Sequence, residues 1–210
     1  VVVDGGKDSL SMAAKVGGET VKSPGEITLT VYAPCRDVRN TITPDFKYPG
    51  EGLIVYVDLG EGFYRLGGTA LSTVYGQIGD SSPDITPSGL GVFKACFEAI
   101  QGLIRLGAIK SGHDRSDGGL ITTLLEMAFA GNCGIDVTLC EAWHTKSDTA
   151  KSDTMPTWAP LLFGEELGYV FEVLPKDLLA VQAAFKKAGC EGRVIGTVLS
   201  EQTVRVAVEG

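Results

Sequence analysis

Residues 113–119, HDRSDGG, set a histidine, two aspartates, an arginine, a serine and two glycines directly ahead of an apolar run. A helix opening at Gly118 or Gly119 points unpaired N–H groups back at this loop, and glycines let a ligand come close to the backbone. That geometry suits phosphate, yet Asp114 and Asp117 would repel a bare phosphate. A divalent cation between them removes the conflict: carboxylate oxygens bind Mg2+, and Mg2+ binds phosphate oxygens. On this reading the stretch is a metal–nucleotide loop. Ser116 donates to a phosphate oxygen, and Arg115 pairs with a phosphate or a nearby carboxylate. A plainer alternative stays open, in which Ser116 or Asp117 merely caps the helix. His113, beside Asp114, is a further candidate, although a structural hydrogen bond is the commoner role for such a residue.

Other stretches carry weaker signals. DGGKDSLSM (4–12) is a glycine-rich loop in which Lys7 can reach phosphate beside Asp8, Ser9 and Ser11. It is not a Walker loop, and a solvated turn explains it equally well. LGGTALSTVY (66–75) either holds an anion on Gly67, Gly68 and Thr69 or packs a helix closely on a strand. Glu165 and Glu166 of FGEELG (163–168) are adjacent, so they do not face the same way and make a poor catalytic dyad. One is expected to salt-bridge internally and the other to be solvated. His144 reads as surface. No zinc spacing, nucleophile elbow or dinucleotide fingerprint is present.

The elements that must position these residues follow from periodicity. EITLTVYAP (26–34) and GLIVYVDLG (52–60) read as strands, and VVVD reads as a strand already under way. In 86–107, Val92, Phe93, Cys96, Phe97, Ile100, Leu103 and Ile104 recur at helical spacing. Thr86 with Pro87 or Ser88 opens that helix and Gly107 closes it. GLITTLLEMAFAG (119–131) repeats the pattern and stops at Gly131. GIDVTL (134–139) and LGYVFEVL (167–174) are strands, and PKDLLAVQAAFKKAG (175–189) is a helix with Pro175 near its start. RVIGTVL and TVRVAVE look like a closing hairpin. Residues 140–157, with KSDT twice, read as a mobile polar surface insertion; 17–26 and 45–52 read as loops. The tally is an α/β (α+β) fold, a mixed sheet faced by helices.

Composition bounds the rest. The chain has 210 residues, and 18 Lys and Arg against 26 Asp and Glu give a net charge of −8. That argues against a nucleic-acid surface, which needs clustered cations. No apolar run reaches the roughly 18 residues of a membrane span. The five cysteines form no C-x-x-C pair, which reads as reduced thiols in a cytoplasmic protein, mostly small buried hydrophobes. The chain opens on Val1 and shows no signal peptide, so a fragment is expected.

GGKDSLSM, APCRDVRNTITPDF, LIVYVDLGEG, LGGTALSTVYGQIGD, HDRSDGGLITTLLEMAFAGNCGID and FGEELGYVFEV, in this order, resemble the large form of the phosphoribosylformylglycinamidine synthase family. The resemblance spans nearly all of the chain apart from 140–157 and some loops. It implies an ATP-dependent ligase of purine synthesis, a glutamine amidotransferase whose synthetase part is an internal duplication of a fold like aminoimidazole ribonucleotide synthase. Residues 1–50 then correspond to the end of the first, sheet-forming domain of the second repeat, and 51–210 to its C-terminal α/β domain. The family activates the amide oxygen of formylglycinamide ribonucleotide with ATP and Mg2+, and ammonia from glutamine displaces the phosphate. HDRSDGG resembles a contribution to the auxiliary Mg2+–nucleotide (ATP/ADP) site, which implies Asp114, Ser116, Asp117 and Gly118 as nucleotide contacts and Asp114 and Asp117 as metal ligands; Lys7 and Asp8 carry over as residues near a nucleotide cleft. No residue is assigned a catalytic role.

The implied partners are the remaining synthetase chain and a glutaminase domain, so the fragment alone is expected to be inactive. It is also expected to dimerise, or to leave its leading segment disordered, because open strand edges seek pairing. Gly164 departs from the family, which often has Asn there, so a polar contact is expected to be missing. Two other classes stay open: a structural or interaction domain that binds no nucleotide, and another enzyme of the aminoimidazole ribonucleotide synthase superfamily.

Overall fold

The structure, a computed structural model, describes residues 2–23, 25–35, 37–79, 81–143, 156 and 158–210. It divides into two compact units, Val1–Arg36 and Asp37–Gly210. The leading unit contains an antiparallel hairpin, β1 (Ala13–Val16) and β2 (Glu19–Lys22), joined at Gly17–Gly18. The loop expected over 17–26 is therefore corrected in its first half: a Gly-Gly pair between two short runs is itself a hairpin signal. The strands expected at VVVD and at 26–34 are also corrected, since the described residues there belong to no ladder. Ile27, Leu29 and Val31 alternate with threonines as a strand would, and all three are exposed. Propensity makes such a run extended, but a ladder partner is what makes it a strand.

The second unit begins at Asp37, so residues 37–50 fold with it. In chain order it contains β3 (Leu53–Asp58), α1 (Ala70–Val74), α2 (Pro87–Arg105), β4 (Ile109–Asp114), α3 (Gly119–Ala130), β5 (Gly134–Cys140), α4 (Trp158–Phe163), β6 (Gly168–Val173), α5 (Leu178–Lys187), β7 (Gly192–Leu199) and β8 (Val204–Glu209). The helix punctuation falls where the sequence puts it. Thr86 is the N-cap of α2, its hydroxyl accepting from Gly89 N–H at 3.0 Å, with Pro87 as the first helical residue. Gly107, at φ 65°, follows the last turn. Pro175–Asp177 form a short 3-10 turn that leads into α5.

One six-stranded sheet organises the unit, in the order β4-β6-β3-β7-β5-β8. Helices cover both faces. Ile54 and Tyr56 of β3 pack with Leu120, Leu124 and Met127 of α3, while Val55 and Val57 pack with Cys96, Ile100 and Leu103 of α2 and Val181 and Phe185 of α5. Alternate residues of one strand thus enter two cores, which is why β3 reads as a continuous apolar run. Each fully buried aliphatic side chain contributes about 2 kcal/mol. This is the expected α/β architecture, a mixed sheet faced by helices.

The expected closing hairpin does not form. Both edges of β7 are occupied, by β3 and β5, so β8 passes over the end of β5 and pairs parallel to its outer edge, Ile135 opposite Val204. The crossing explains Gly134: a Cβ there would collide with the carbonyls of Glu201 and Thr203. Ile135 N–H donates to Thr203 O at 3.0 Å and fixes the crossing. Of the polar insertion expected at 140–157, residues 144–155 and 157, His144 among them, lie outside the described residues; Cys140 ends β5 and 141–143 form a 3-10 turn. Among the described residues no helix is long and apolar enough to cross a membrane.

Candidate functional site

The acidic loop joins the end of β4 to the start of α3. Asp114 is the last residue of β4, and Gly118, at φ 83°, is the N-cap of α3 with no side chain to cap it. A side chain at Gly118 would be strained by that backbone and would collide with Thr122. Asp114, Ser116 and Asp117 are exposed, the Asp114 side chain to 67%. His113 bridges this end of the loop. Its Nδ1 lies 2.7 Å from Asp114 O and 3.3 Å from Asp114 Oδ1, and its Nε2 lies 3.1 Å from Glu126 Oε2 on α3.

Arg115, between these exposed residues, turns the opposite way, and its side chain is fully buried. It donates to Asp58 Oδ1 at 3.0 Å, to Leu167 O at 2.9 Å, and to Tyr56 Oη and Glu166 O. Of the two partners expected for Arg115, the carboxylate is the one realised. Asp58 also accepts from Tyr64 Oη at 2.9 Å and Gly60 N–H at 3.0 Å. A buried guanidinium with its donors satisfied and a carboxylate beside it avoids the penalty of an orphaned charge. Burial pushes the Tyr56 and Tyr64 phenols above their ordinary range, with Arg115 opposing the shift. Burial alone would lower Arg115, but Tyr56, Asp58, Tyr64 and Glu166 outweigh it, so the side chain stays charged.

The adjacent glutamates divide their work in a way the sequence did not reveal. Glu166 is buried and forms a fork with Arg65, Nε to Oε1 at 2.7 Å and a terminal nitrogen to Oε2 at 2.8 Å. That is the internal salt bridge expected of one member. Glu165 is not simply solvated, which corrects the expectation for the other. Its Oε1 accepts from Gly118 N–H at 2.7 Å and from Ala70 N–H at 2.8 Å. One carboxylate therefore ties the acidic loop to the start of α1, a charge-assisted arrangement at two helix N-termini. Gly119 N–H donates to Ser116 O at 3.0 Å.

Around α1, Thr69 is the N-cap, and Gly67 and Gly68 donate to Ser81 O and Ile78 O at 2.8 and 2.7 Å. A Cβ on Gly67 would strike Ser81. The partners of Gly67 and Gly68 are the loop residues Ser81 and Ile78, so the close approach at 66–75 is of turn on loop and not of helix on strand. Gly164 is equally confined: a Cβ would stand 2.6 Å from Pro160 O, so an Asn side chain has no room there without a shift.

The donor set of the acidic loop is hard oxygen: the exposed carboxylates of Asp114, at the end of β4, and of Asp117, and the exposed Ser116 hydroxyl. It fits Mg2+, which commonly takes one or two protein carboxylates and fills the remaining positions with phosphate and water. Among the described residues no group of three or more His, Cys, Asp and Glu could hold a metal ion, so these residues alone do not provide a closed cage. Lys7 lies in the leading unit. Its Nζ is 3.1 Å from Ser9 Oγ and also contacts Asp8 O at 2.6 Å, beside a concavity of about 620 Å³ lined by Gly5, Gly6, Lys7, Asp8 and residues up to Leu29. Asp8 is engaged locally, accepting from Leu10 N–H at 2.9 Å.

The family described as "AIR synthase related protein, C-terminal domain" matches residues 49–209. The chain is 44% identical over 215 residues to a phosphoribosylformylglycinamidine synthase of Homo sapiens, covering 100% of this chain and 15% of that protein. It is 46% identical to the Drosophila melanogaster protein of the same name, covering 93% and 15%. It is 41% identical to a probable chloroplastic/mitochondrial one of Arabidopsis thaliana, covering 100% and 14%. The chain thus spans about a seventh of the length of these relatives. Among solved structures, Thermotoga maritima PurL complexed with FGAR superposes with a TM-score of 0.60 at 17% identity, over 81% of this chain and 27% of that one. The same protein complexed with ATP gives 0.55 at 19%, over 81% and 25%. At these identities the likeness is one of fold.

Proposed function

The chain belongs to the AIR synthase related protein family through its C-terminal domain, and on that premise we propose that it is part of the synthetase region of a phosphoribosylformylglycinamidine synthase. The whole protein would convert formylglycinamide ribonucleotide, glutamine and ATP to the amidine, as an ATP-dependent ligase in the cytoplasm, with the remaining synthetase chain and a glutaminase domain as partners. Residues 51–210 would be the second domain of a repeat and 1–50 the end of its first. The observation that carries this reading is identity of 41 to 46% to relatives of that name across 93 to 100% of the chain.

Within the whole, this piece would contribute an auxiliary nucleotide site and scaffold. Asp114 and Asp117 would hold Mg2+, Ser116 would donate to a phosphate oxygen, and Gly118 would give the loop its left-handed turn. Lys7 would serve a nucleotide from the leading unit. When bound, Mg2+ would neutralise phosphate charge beside the two carboxylates. The support is local: the oxygen donors are exposed while Arg115, one residue from Asp114 and from Ser116, is rooted in the core. In isolation the piece would lack most walls of the catalytic cleft and be inactive, and it would dimerise or leave its leading segment disordered. Sedimentation showing a compact monomer with ordered residues 1–50 would count against the last point.

A second reading, a domain that binds no nucleotide, draws on one observation: the N–H groups of Gly118 and Gly119 already have partners within the chain. Calorimetric titration of ADP into the full-length protein, with Mg2+ and with chelator, separates the two. The first reading expects Asp114→Asn to weaken Mg2+-dependent binding roughly tenfold or more with unchanged melting, the scale of one charge-assisted contact. Equal binding by wild type and variant favours the second.

A further inference from the structure

A concavity of about 390 Å³ in the Asp37–Gly210 unit lies at the start of β4, lined among others by Arg39, Lys47, Tyr48, Ile104, Arg105 and Lys110. It draws together four of the chain's 18 Lys and Arg, in a chain of net charge −8, and among the described residues no carboxylate lines it. The four cations come from separate elements. Arg39 lies in the 3-10 turn Val38–Asn40 and Lys47 in the segment after it, Arg105 in the last turn of α2, and Lys110 on β4. Asp114 stands at the other end of β4, so at about 3.3 Å per residue the acidic loop is roughly 16 Å away.

Local roles account for part of this clustering. Lys110 contacts Gly107 O and lies 3.2 Å from an Asp177 oxygen, and a cation in the last turn of α2 suits the negative end of its dipole. Arg39 holds Asp37 at 2.8 Å and Lys47 holds Asp45 at 3.1 Å. Solvent-exposed pairs of that kind are weak, so a more highly charged anion can compete for both cations. Arg105 is exposed and has no ion-pair or hydrogen-bond partner among the described residues. Its guanidinium is the one cation of the four that no local role engages through a contact.

We propose that this concavity is an anion site for a diphosphate, inorganic or esterified, with Arg105 as its anchor and Arg39, Lys47 and Lys110 around it. A guanidinium fork matches phosphate oxygens in pairs, and a lysine ammonium adds a point charge. Four cations suit the charge of a diphosphate better than that of a single phosphate. The volume falls within the range of about 300–1,000 Å³ typical of small-ligand pockets. Ile42, Ile104, Ile109 and Tyr48 line the same space and give the body of an ester apolar surface to rest on. The inference is independent of the Mg2+–nucleotide reading and uses none of its residues.

The test is calorimetric titration of the full-length protein with pyrophosphate, in chelator so that Mg2+-dependent binding is silent. Wild type and Asp114→Asn should bind alike in one saturable event. Arg105→Gln and Arg39→Gln should each weaken it about tenfold, the scale of one charge-assisted contact. Melting should not change, because both residues are exposed. Wild type supplies a readout free of any variant: pyrophosphate should slow acetylation of Lys47 and Lys110, while Lys94, exposed on α2, keeps its rate. ADP read by the same lysine protection separates the sources. Protection at lower concentration than pyrophosphate assigns the site to an ester, and at equal or higher concentration to the inorganic ion. Absence of saturable pyrophosphate binding in wild type overturns the proposal. So does binding that both arginine variants leave unchanged, or that Asp114→Asn abolishes.

Discussion

An Arg115→Met substitution keeps most of the side chain's length and removes its charge. Asp58 then stays buried without its cation, beside two phenols that depend on the same cluster. Breaking a buried pair on one side costs about 3–5 kcal/mol, and urea unfolding of the Asp37–Gly210 unit should lose that much. Glu165→Ala leaves the N–H groups of Gly118 and Ala70 without their acceptor. It should destabilise by about 1–3 kcal/mol and weaken Mg2+-dependent ADP binding in proportion to how far the acidic loop relaxes. The two phenols also set a pH limit. Tyr56 and Tyr64 titrate higher in the folded protein than the ordinary phenol value of about 10. Above that pH the unfolded chain gives up protons that the folded one retains, so stability is complete below about pH 10 and falls as pH rises beyond it. Melting temperature between about pH 9 and pH 11 should show the decline, and a Tyr64→Phe variant should flatten it. At this scale the sequence reveals residue types but not directions. The clustering of Asp114, Ser116 and Asp117 was visible; that Arg115 faces inward was left open between two partners. The clasp made by Glu165 joins positions 47 and 95 residues away, and no local pattern reports such a bond.

Helices were the most legible elements, because their period and their punctuation are local. Thr86, Pro87 and Gly107 mark α2 by chemistry that acts within one turn. Thr86→Ala should therefore cost about 1 kcal/mol, read from the urea midpoint, with a further loss because the Thr86 hydroxyl also donates to Glu61. The strands were legible in existence and not in partnership. TVRVAVE has every mark of a strand, yet its neighbour is β5, some seventy residues earlier in sequence, and not the adjacent β7. The run at 26–34 has the same marks and no partner among the described residues. Pairing depends on which edges remain free once the sheet has assembled, and that is a property of the whole ladder. Gly134→Ala tests the crossing: a methyl group against two carbonyls should cost at least about 1–3 kcal/mol, a loss that thermal unfolding would register.

Taken as a molecule, the second unit reaches back further than the composition of 45–52 suggests. Phe46 is buried in the core beside Met127 and Ala128, and the N–H groups of Lys47 and Tyr48 hold the fully buried Glu172 carboxylate at 2.9 and 2.8 Å. A piece starting at residue 37 should therefore unfold at a clearly higher urea concentration than one starting at 51. The shorter piece loses a buried aromatic, worth about 3–5 kcal/mol, and leaves the Glu172 carboxylate with only the Ser111 hydroxyl of these donors. The route of β8 bears on how this sheet can be put together. The chain steps across the foot of β5 before lying down beside it, so β5 carries β7 on one edge and β8 on the other. The other five strands are laddered to one another without it, and β8, largely exposed, is the outermost plank on that side. Native-state hydrogen exchange should see that plank lift off first, its amides trading protons for deuterons while those of β3 stay locked until the whole slab comes apart.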